Sequence, residues 1–188
     1  MKSPFYFIVH PYNGRRYDNV KSSGGVELIT SVSEDDYTAS NRFAIVDSVP
    51  VGYDGDIEPG DVLLVHHNVF KFYYDMRGVQ RSDRSFFKDN VFFVDKDQFF
   101  LYKKSDGIWR THDKYCFVKG IPPVEAHIMS FSREESLMGE MIYLNKKAIN
   151  MGLKKGDIVA FPPKSTYEFR IDGEIMYRLY DSHIIMKV

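Results

Sequence analysis

Apolar and polar positions along this chain fall into short runs separated by turn residues, with no long amphipathic stretch. Residues 5–10 (FYFIVH) are aromatic and β-branched and end at Pro11 and an Asn13-Gly14 turn signal, which predicts a first strand. Residues 42–49 (RFAIVDSV) predict a second, and the Gly- and Pro-punctuated 50–59 a connection. Residues 60–66 read as a third strand fed by a Gly60-Asp61 turn, and 69–74 can pair back as a fourth. Residues 76–89 are charged and rich in breakers, so they read as a loop. Two more short strands, 91–94 and 99–102, flank Asp95-Lys96-Asp97. Short strands spaced by turns predict an all-β barrel or sandwich, not alternating β and α units.

One stretch breaks this pattern. Lys21-Ser22-Ser23-Gly24-Gly25 leads into a short apolar run, Val26-Glu27-Leu28-Ile29, and residues 31–41 (SVSEDDYTASN) then offer almost nothing to bury. Adjacent glycines take positive φ without strain, and so polar a tail does not repay the entropy of ordering it. Residues 17–41 therefore read as a long mobile loop carrying a small adhesive patch. In an extended arm Val26 and Leu28 share a face and Glu27 points away. An expanded hairpin connection with no partner is the plainer alternative.

The pattern also repeats. Gly60-Asp61-Val62-Leu63-Leu64-Val65 recurs 96 positions later as Gly156-Asp157-Ile158-Val159-Ala160-Phe161. The run from Val94 to Leu101 recurs 85 positions later as Leu179 to Met186. The 11-residue difference places an insertion in the first copy, in the 76–89 loop. Such a repeat predicts two tandem barrels, 1–108 and 109–188, with the boundary around 105–111. One elaborated barrel with a chance Gly-Asp repeat is the alternative. The second copy has no Gly-Gly-apolar run between its first strand (115–119) and the strand at 140–144; the intervening 121–137 opens on Pro122-Pro123. Ile158, on the second Gly-Asp strand, is expected to be core.

Composition narrows the function classes. The 188 residues are 44% hydrophobic and 27% charged, enough for a substantial core. A formal net charge of −1 gives no bulk-charge support for nucleic-acid or anionic-membrane binding. No apolar run approaches the roughly 18 residues of a membrane span. The start, Met1-Lys2-Ser3-Pro4, does not resemble a signal peptide, and the single Cys116 fits a reducing compartment, so a cytoplasmic protein is expected.

Catalytic chemistry is not evident. His66-His67 with His10 is the best metal candidate, yet adjacent strand residues point to opposite faces and no ligand spacing accompanies them. Asp54, Asp56 and Asp61 lack the EF-hand order and suit turns better. No nucleophile elbow or phosphate loop appears. The run Phe70, Phe72, Tyr73, Tyr74 has the aromatics to stack bases, but reads more simply as core. No enzyme, metal or cofactor is expected.

The order of an N-terminal strand, Lys-Ser-Ser-Gly-Gly-Val-x-Leu, a polar stretch, a strand and then Gly60-Asp61-Val62-Leu63 resembles the GroES-type co-chaperonins. The second copy resembles them more closely from Gly139 through Gly156-Asp157 to Ile184-Ile185-Met186. The resemblance implies two tandem GroES-like β-barrels and a ring-shaped homo-oligomer of seven chains. It further implies a mobile loop that docks on a GroEL-type chaperonin through Gly24, Gly25, Val26, Glu27, Leu28 and Ile29. Glu27 departs from the family, which has an apolar residue there. The connections at 52–60 and 145–156 are shorter than the family's roof hairpin, a trimming seen in bacteriophage members. Rival readings are a viral structural or assembly protein and a single-strand nucleic-acid binding barrel.

Overall fold

The computed structural model describes residues 2–17, 20–23, 26–29, 40–121 and 137–188. The chain divides into two compact units, Met1–Ile108 and Trp109–Val188. The first carries β1 (Phe7–Pro11), β2 (Val20–Ser23), β3 (Val26–Ile29), β4 (Phe43–Ser48), β5 (Val62–Val65), β6 (Phe72–Tyr74), β7 (Gln80–Ser82), β8 (Phe86–Lys88), β9 (Val91–Val94) and β10 (Phe99–Lys103). The second carries β11 (Trp109–Thr111), β12 (Tyr115–Gly120), β13 (Met138–Tyr143), the helix α1 (Lys146–Asn150), β14 (Ile158–Ala160), β15 (Tyr167–Ile171), β16 (Glu174–Tyr180) and β17 (Met186–Lys187). The protein is predominantly β.

Hydrogen-bonded neighbours run β10-β5-β4-β1-β9-β8 in the first unit and β17-β14-β13-β12-β16-β15 in the second. These orders match strand for strand, and so do the registers. Leu63 faces Tyr102 and Leu64 faces Leu101, as Val159 faces Lys187 and Ala160 faces Met186. Both units carry a bulge at the same place. Ile8 pairs with Ser48 and Val9 with Val46, which leaves Asp47 unopposed; Phe117 pairs with Tyr143 and Val118 with Met141, which leaves Ile142 unopposed. The shared bulge gives both sheets the same bend, because the extra residue twists the strand that holds it.

The Gly-Asp turns explain why the copies fold alike. Gly60 and Gly156 sit at φ 96° and 90°, a conformation that favours glycine. Their N–H groups donate to Val46 O (2.8 Å) and Met141 O (2.9 Å). Asp61 Oδ2 accepts from Glu58 N–H at 2.9 Å, and Asp157 Oδ2 from Lys154 N–H at 2.8 Å. Each aspartate's own carbonyl then accepts from the neighbouring strand, from Val46 N–H (2.9 Å) and Met141 N–H (2.8 Å). The carboxylate therefore fixes the turn while the glycine aims it.

Each unit has its own core. Phe7, Val9, Val46, Leu63, Phe92 and Phe99 are buried together in the first; Cys116, Val118, Met141, Val159 and Leu179 in the second. Burial of each such side chain is worth roughly 1.5–3 kcal/mol.

Several sequence expectations need correction. Residues 76–89 are not a loop: they contain β7 and β8, and β6 pairs forward with β7 rather than back onto the sheet. The aromatic run is not all core. Phe70 is buried and Phe72 half-buried, but Tyr73 and Tyr74 are 51% and 54% exposed. Ile158 is 38% exposed, and the core residue of that strand is its neighbour Val159, fully buried. Alternation along a strand makes those two positions exclusive. Neither strand order returns to its starting strand among the described residues, so the pairings describe open sheets.

Candidate partner-binding arm

The expected adhesive stretch leaves the first unit between β1 and β4. Backbone pairing joins β2 and β3 as an antiparallel hairpin: Val20 faces Ile29, Lys21 faces Leu28, Ser22 faces Glu27 and Ser23 faces Val26. Val26 and Leu28 hold alternate positions of β3, with Glu27 between them. Gly24 and Gly25 fall outside the described residues, as do 18–19 and 30–39.

The root of the arm is densely bonded. Tyr17 and Ser40 form a single antiparallel bridge across its base, and Asn41 N–H donates to Arg16 O at 2.9 Å. The buried Asn41 side chain ties both flanks together. Its amide donates to Tyr12 O (2.9 Å) and Arg15 O (2.7 Å), and its Oδ1 accepts from Phe43 N–H (2.9 Å). Buried polar groups persist when they are paired in this way.

Arg16 is the keystone of the same root. Its Nε donates to Phe70 O at 2.8 Å, and Nη2 to Lys71 O at 3.3 Å and Ser82 Oγ at 3.0 Å. The guanidinium lies 5.2 Å from the Phe72 ring centroid, 5.2 Å from that of Phe92 and 5.5 Å from that of Phe86. Burial lowers its pKa from the ordinary value, an effect the neighbouring Tyr17 offsets in part. Arginine nevertheless keeps its proton in proteins, so the charge is met by carbonyls and ring faces instead. Tyr17 completes the joint: its OH accepts from Phe72 N–H at 3.1 Å and its ring packs edge-on to Phe72 at 5.0 Å. Sequence reasoning misses Arg16, because its partners lie more than 50 positions away.

The other candidate residues do not assemble into a site. His10 Nδ1 and Asp47 Oδ1 lie 2.8 Å apart on the first sheet. His66 and His67 follow the end of β5 and stack with centroids 4.2 Å apart, rather than pointing to opposite faces. Burial, then the charges of His66, Arg42 and Lys71, pushes His67 down to about 4. Asp61 serves its turn, as above. Asp56 lies beside Tyr102 OH and its carbonyl accepts from Lys104 Nζ. Among the described residues no group of three or more His, Cys, Asp or Glu is placed to hold a metal ion. Burial raises the Cys116 thiol to about 11, which removes it as a nucleophile at neutral pH. Among the described residues no helix is long and apolar enough to cross a membrane. No model of a known protein family matches the chain, and no curated protein matches it.

Proposed function

We propose that this chain is a non-enzymatic co-chaperonin of the GroES type, acting in the cytoplasm. Its two units serve as tandem GroES-like barrels, and the arm of the first grips a GroEL-type chaperonin through the stretch Gly24, Gly25, Val26, Glu27, Leu28 and Ile29, with Val26 and Leu28 as its two apolar anchors. The observation that carries the reading is the β2–β3 hairpin, whose apolar strand joins the first unit through a densely bonded root. The duplicated strand order supports the tandem part of the reading.

Two buried apolar anchors are worth roughly 1.5–3 kcal/mol apiece. Ordering a segment on binding costs about 2–5 kcal/mol. Pairing within β2–β3 lowers that cost, but a single arm still binds weakly. Seven arms on a ring bind tightly through effective concentration, and each lets go easily. ATP hydrolysis stays with the chaperonin.

Mixing the protein with a GroEL-type chaperonin and ATP, then imaging the particles, tests this. Capped particles are expected from the native chain and none from Leu28→Asp, whose stability should stay within about 0.5 kcal/mol of native. A native chain that leaves the chaperonin open, or a folded Leu28→Asp that still caps it, overturns the reading.

A further inference from the structure

Arg16 and Tyr17 hold more than the arm. Their partners Phe70, Lys71 and Phe72 lead into β6, and Ser82 ends β7. The β6–β7 hairpin and the β2–β3 arm therefore spring from one joint. The tip of β6–β7 is rigidly closed. Asp75 Oδ1 accepts from Arg77 N–H (2.9 Å) and Val79 N–H (3.0 Å), and its Oδ2 accepts from Arg81 Nε (3.1 Å). Gly78 N–H donates to Asp75 O at 2.9 Å, and Asp75 N–H to Val79 O at 3.0 Å. Those bonds hold the Asp75 carboxyl below its ordinary value, the Val79 and Arg77 amides contributing most.

What this tip presents is apolar. Met76 is fully exposed, Val79 is 48% exposed, and Tyr73 and Tyr74 flank them. A turn so thoroughly hydrogen-bonded has no structural need of a methionine in water, and a projecting apolar tip marks an interaction site. The hairpin has no counterpart in the second unit, where only residues 161–166 separate β14 from β15. The second copy also lacks the Gly-Gly-apolar run, so both projections belong to the same unit. Within the hairpin, residues 72–82, Arg77 and Arg81 stand against Asp75, a formal charge of +1 in a chain whose net charge is −1. The partner surface should accordingly be acidic around an apolar centre.

We propose that the β6–β7 hairpin is a second docking element, seated on an apolar site with an acidic rim on the same chaperonin that receives β3. This rests on the co-chaperonin reading above; the common root is the reason to assign both hairpins one partner. Single-stranded nucleic acid fits less well. Tyr73 and Tyr74 are adjacent on a strand and occupy opposite faces, so they make no stacking row, and Met76 has no ring face to offer.

The test uses the native chain, Leu28→Asp, and a Met76→Asp/Val79→Asp double variant, each titrated against a GroEL-type chaperonin with ATP. The double variant should melt as the native chain does, because both positions are exposed, and its apparent Kd should rise at least tenfold with the arm intact. Added salt should weaken native binding. In a Met76→Cys variant carrying a benzophenone maleimide, light should cross-link the hairpin to a chaperonin subunit; buried Cys116 will not take the label. A native chain that caps, a Leu28→Asp that does not, and a double variant with unchanged affinity and no cross-link overturn the hairpin proposal alone. A native chain that never binds the chaperonin overturns both. Loss of binding to a single-stranded oligonucleotide in the double variant, with capping intact, replaces the proposal with the nucleic-acid reading.

Discussion

At matching positions, the first unit has Lys96 and the second has Asp181, each opening a short 3-10 turn, and the surroundings are built differently. Asp181 is buried. Its carboxylate accepts from Asn145 Nδ2 (2.9 Å) and Lys147 Nζ (3.0 Å). Asn145 also caps α1 by accepting from Ala148 N–H (2.7 Å), and donates to Asp113 O (3.0 Å). In the first unit the turn is capped from the exposed Asp95, and the nearby core is aromatic, with Phe7 edge-on to Tyr53 (5.1 Å) and Phe99 (5.3 Å). The second unit uses buried polar groups to fix a helix. The first places its comparable network, Asn41 and Arg16, at the root of two projecting hairpins. One strand order thus supports two copies that differ, among the described residues, in what joins their strands, and the hairpins of the first sit in its connections, as functional loops on a rigid scaffold commonly do.

The sharpest way to break this comparison is to unfold one copy. Val159→Asp puts an unpaired charge into the core of the second unit, a change worth more than about 4 kcal/mol. Amide exchange should show β12 to β16 losing protection while β1, β4 and β9 keep theirs. Ile158→Asp, one position away and outward-facing, should cost less than about 1 kcal/mol. Equal damage from both substitutions would mean that the strand is not oriented as described.

Much of the shared plan is legible in the amino-acid order. The two Gly-Asp turns, the strands that feed from them and the β-rich class follow from residue types whose chemistry is local. What is not legible depends on distance or on the face of a strand. Burial of Val159 instead of Ile158 turns on a one-residue phase, which the apolar run of four from Ile158 to Phe161 does not reveal. Arg16 is hidden because nothing near it in sequence hints at three rings and two carbonyls brought from afar. One signal is readable but easily passed over. Asp172-Gly173, between 167–171 and 174–180, is a strong hairpin dipeptide; both residues have positive φ, as do Asp89 and Asn90 at the matching turn.

A smaller effect sharpens the polar contrast. Burial alone pushes the Asp181 carboxyl up, but the Asn145 and Lys147 hydrogen bonds, the lysine's charge and the Ser182 amide outweigh it, leaving the pKa below the ordinary value. A group depressed on folding contributes stability above its unfolded pKa, about 4, and loses that contribution as pH falls through the folded value. Asp181→Asn should therefore cost about 2 kcal/mol at pH 7 and progressively less below pH 4. Lys96→Asn, at the matching exposed turn, should change stability by no more than about 0.5 kcal/mol at either pH. A pH-independent loss for Asp181→Asn would show that packing, not charge, holds that corner.

The smallest expected effect tests whether the copies are equivalent at all. Gly60 and Gly156 share a positive φ, donate to matching carbonyls and precede matching aspartates. A Cβ added at either would meet nothing within 4 Å. Substitution by alanine therefore carries no packing term, only the cost of holding an L-residue left-handed, about 1–2 kcal/mol. Gly60→Ala and Gly156→Ala should destabilise their own units by amounts agreeing within about 0.5 kcal/mol, read from local amide exchange in each. The loss should fall in the strands each turn joins, β4 and β5 in one case, β13 and β14 in the other. If Gly60→Ala proved much the costlier, the turn of the first unit would carry strain that its copy does not, and the likeness of their registers would conceal a difference in how the two sheets are held.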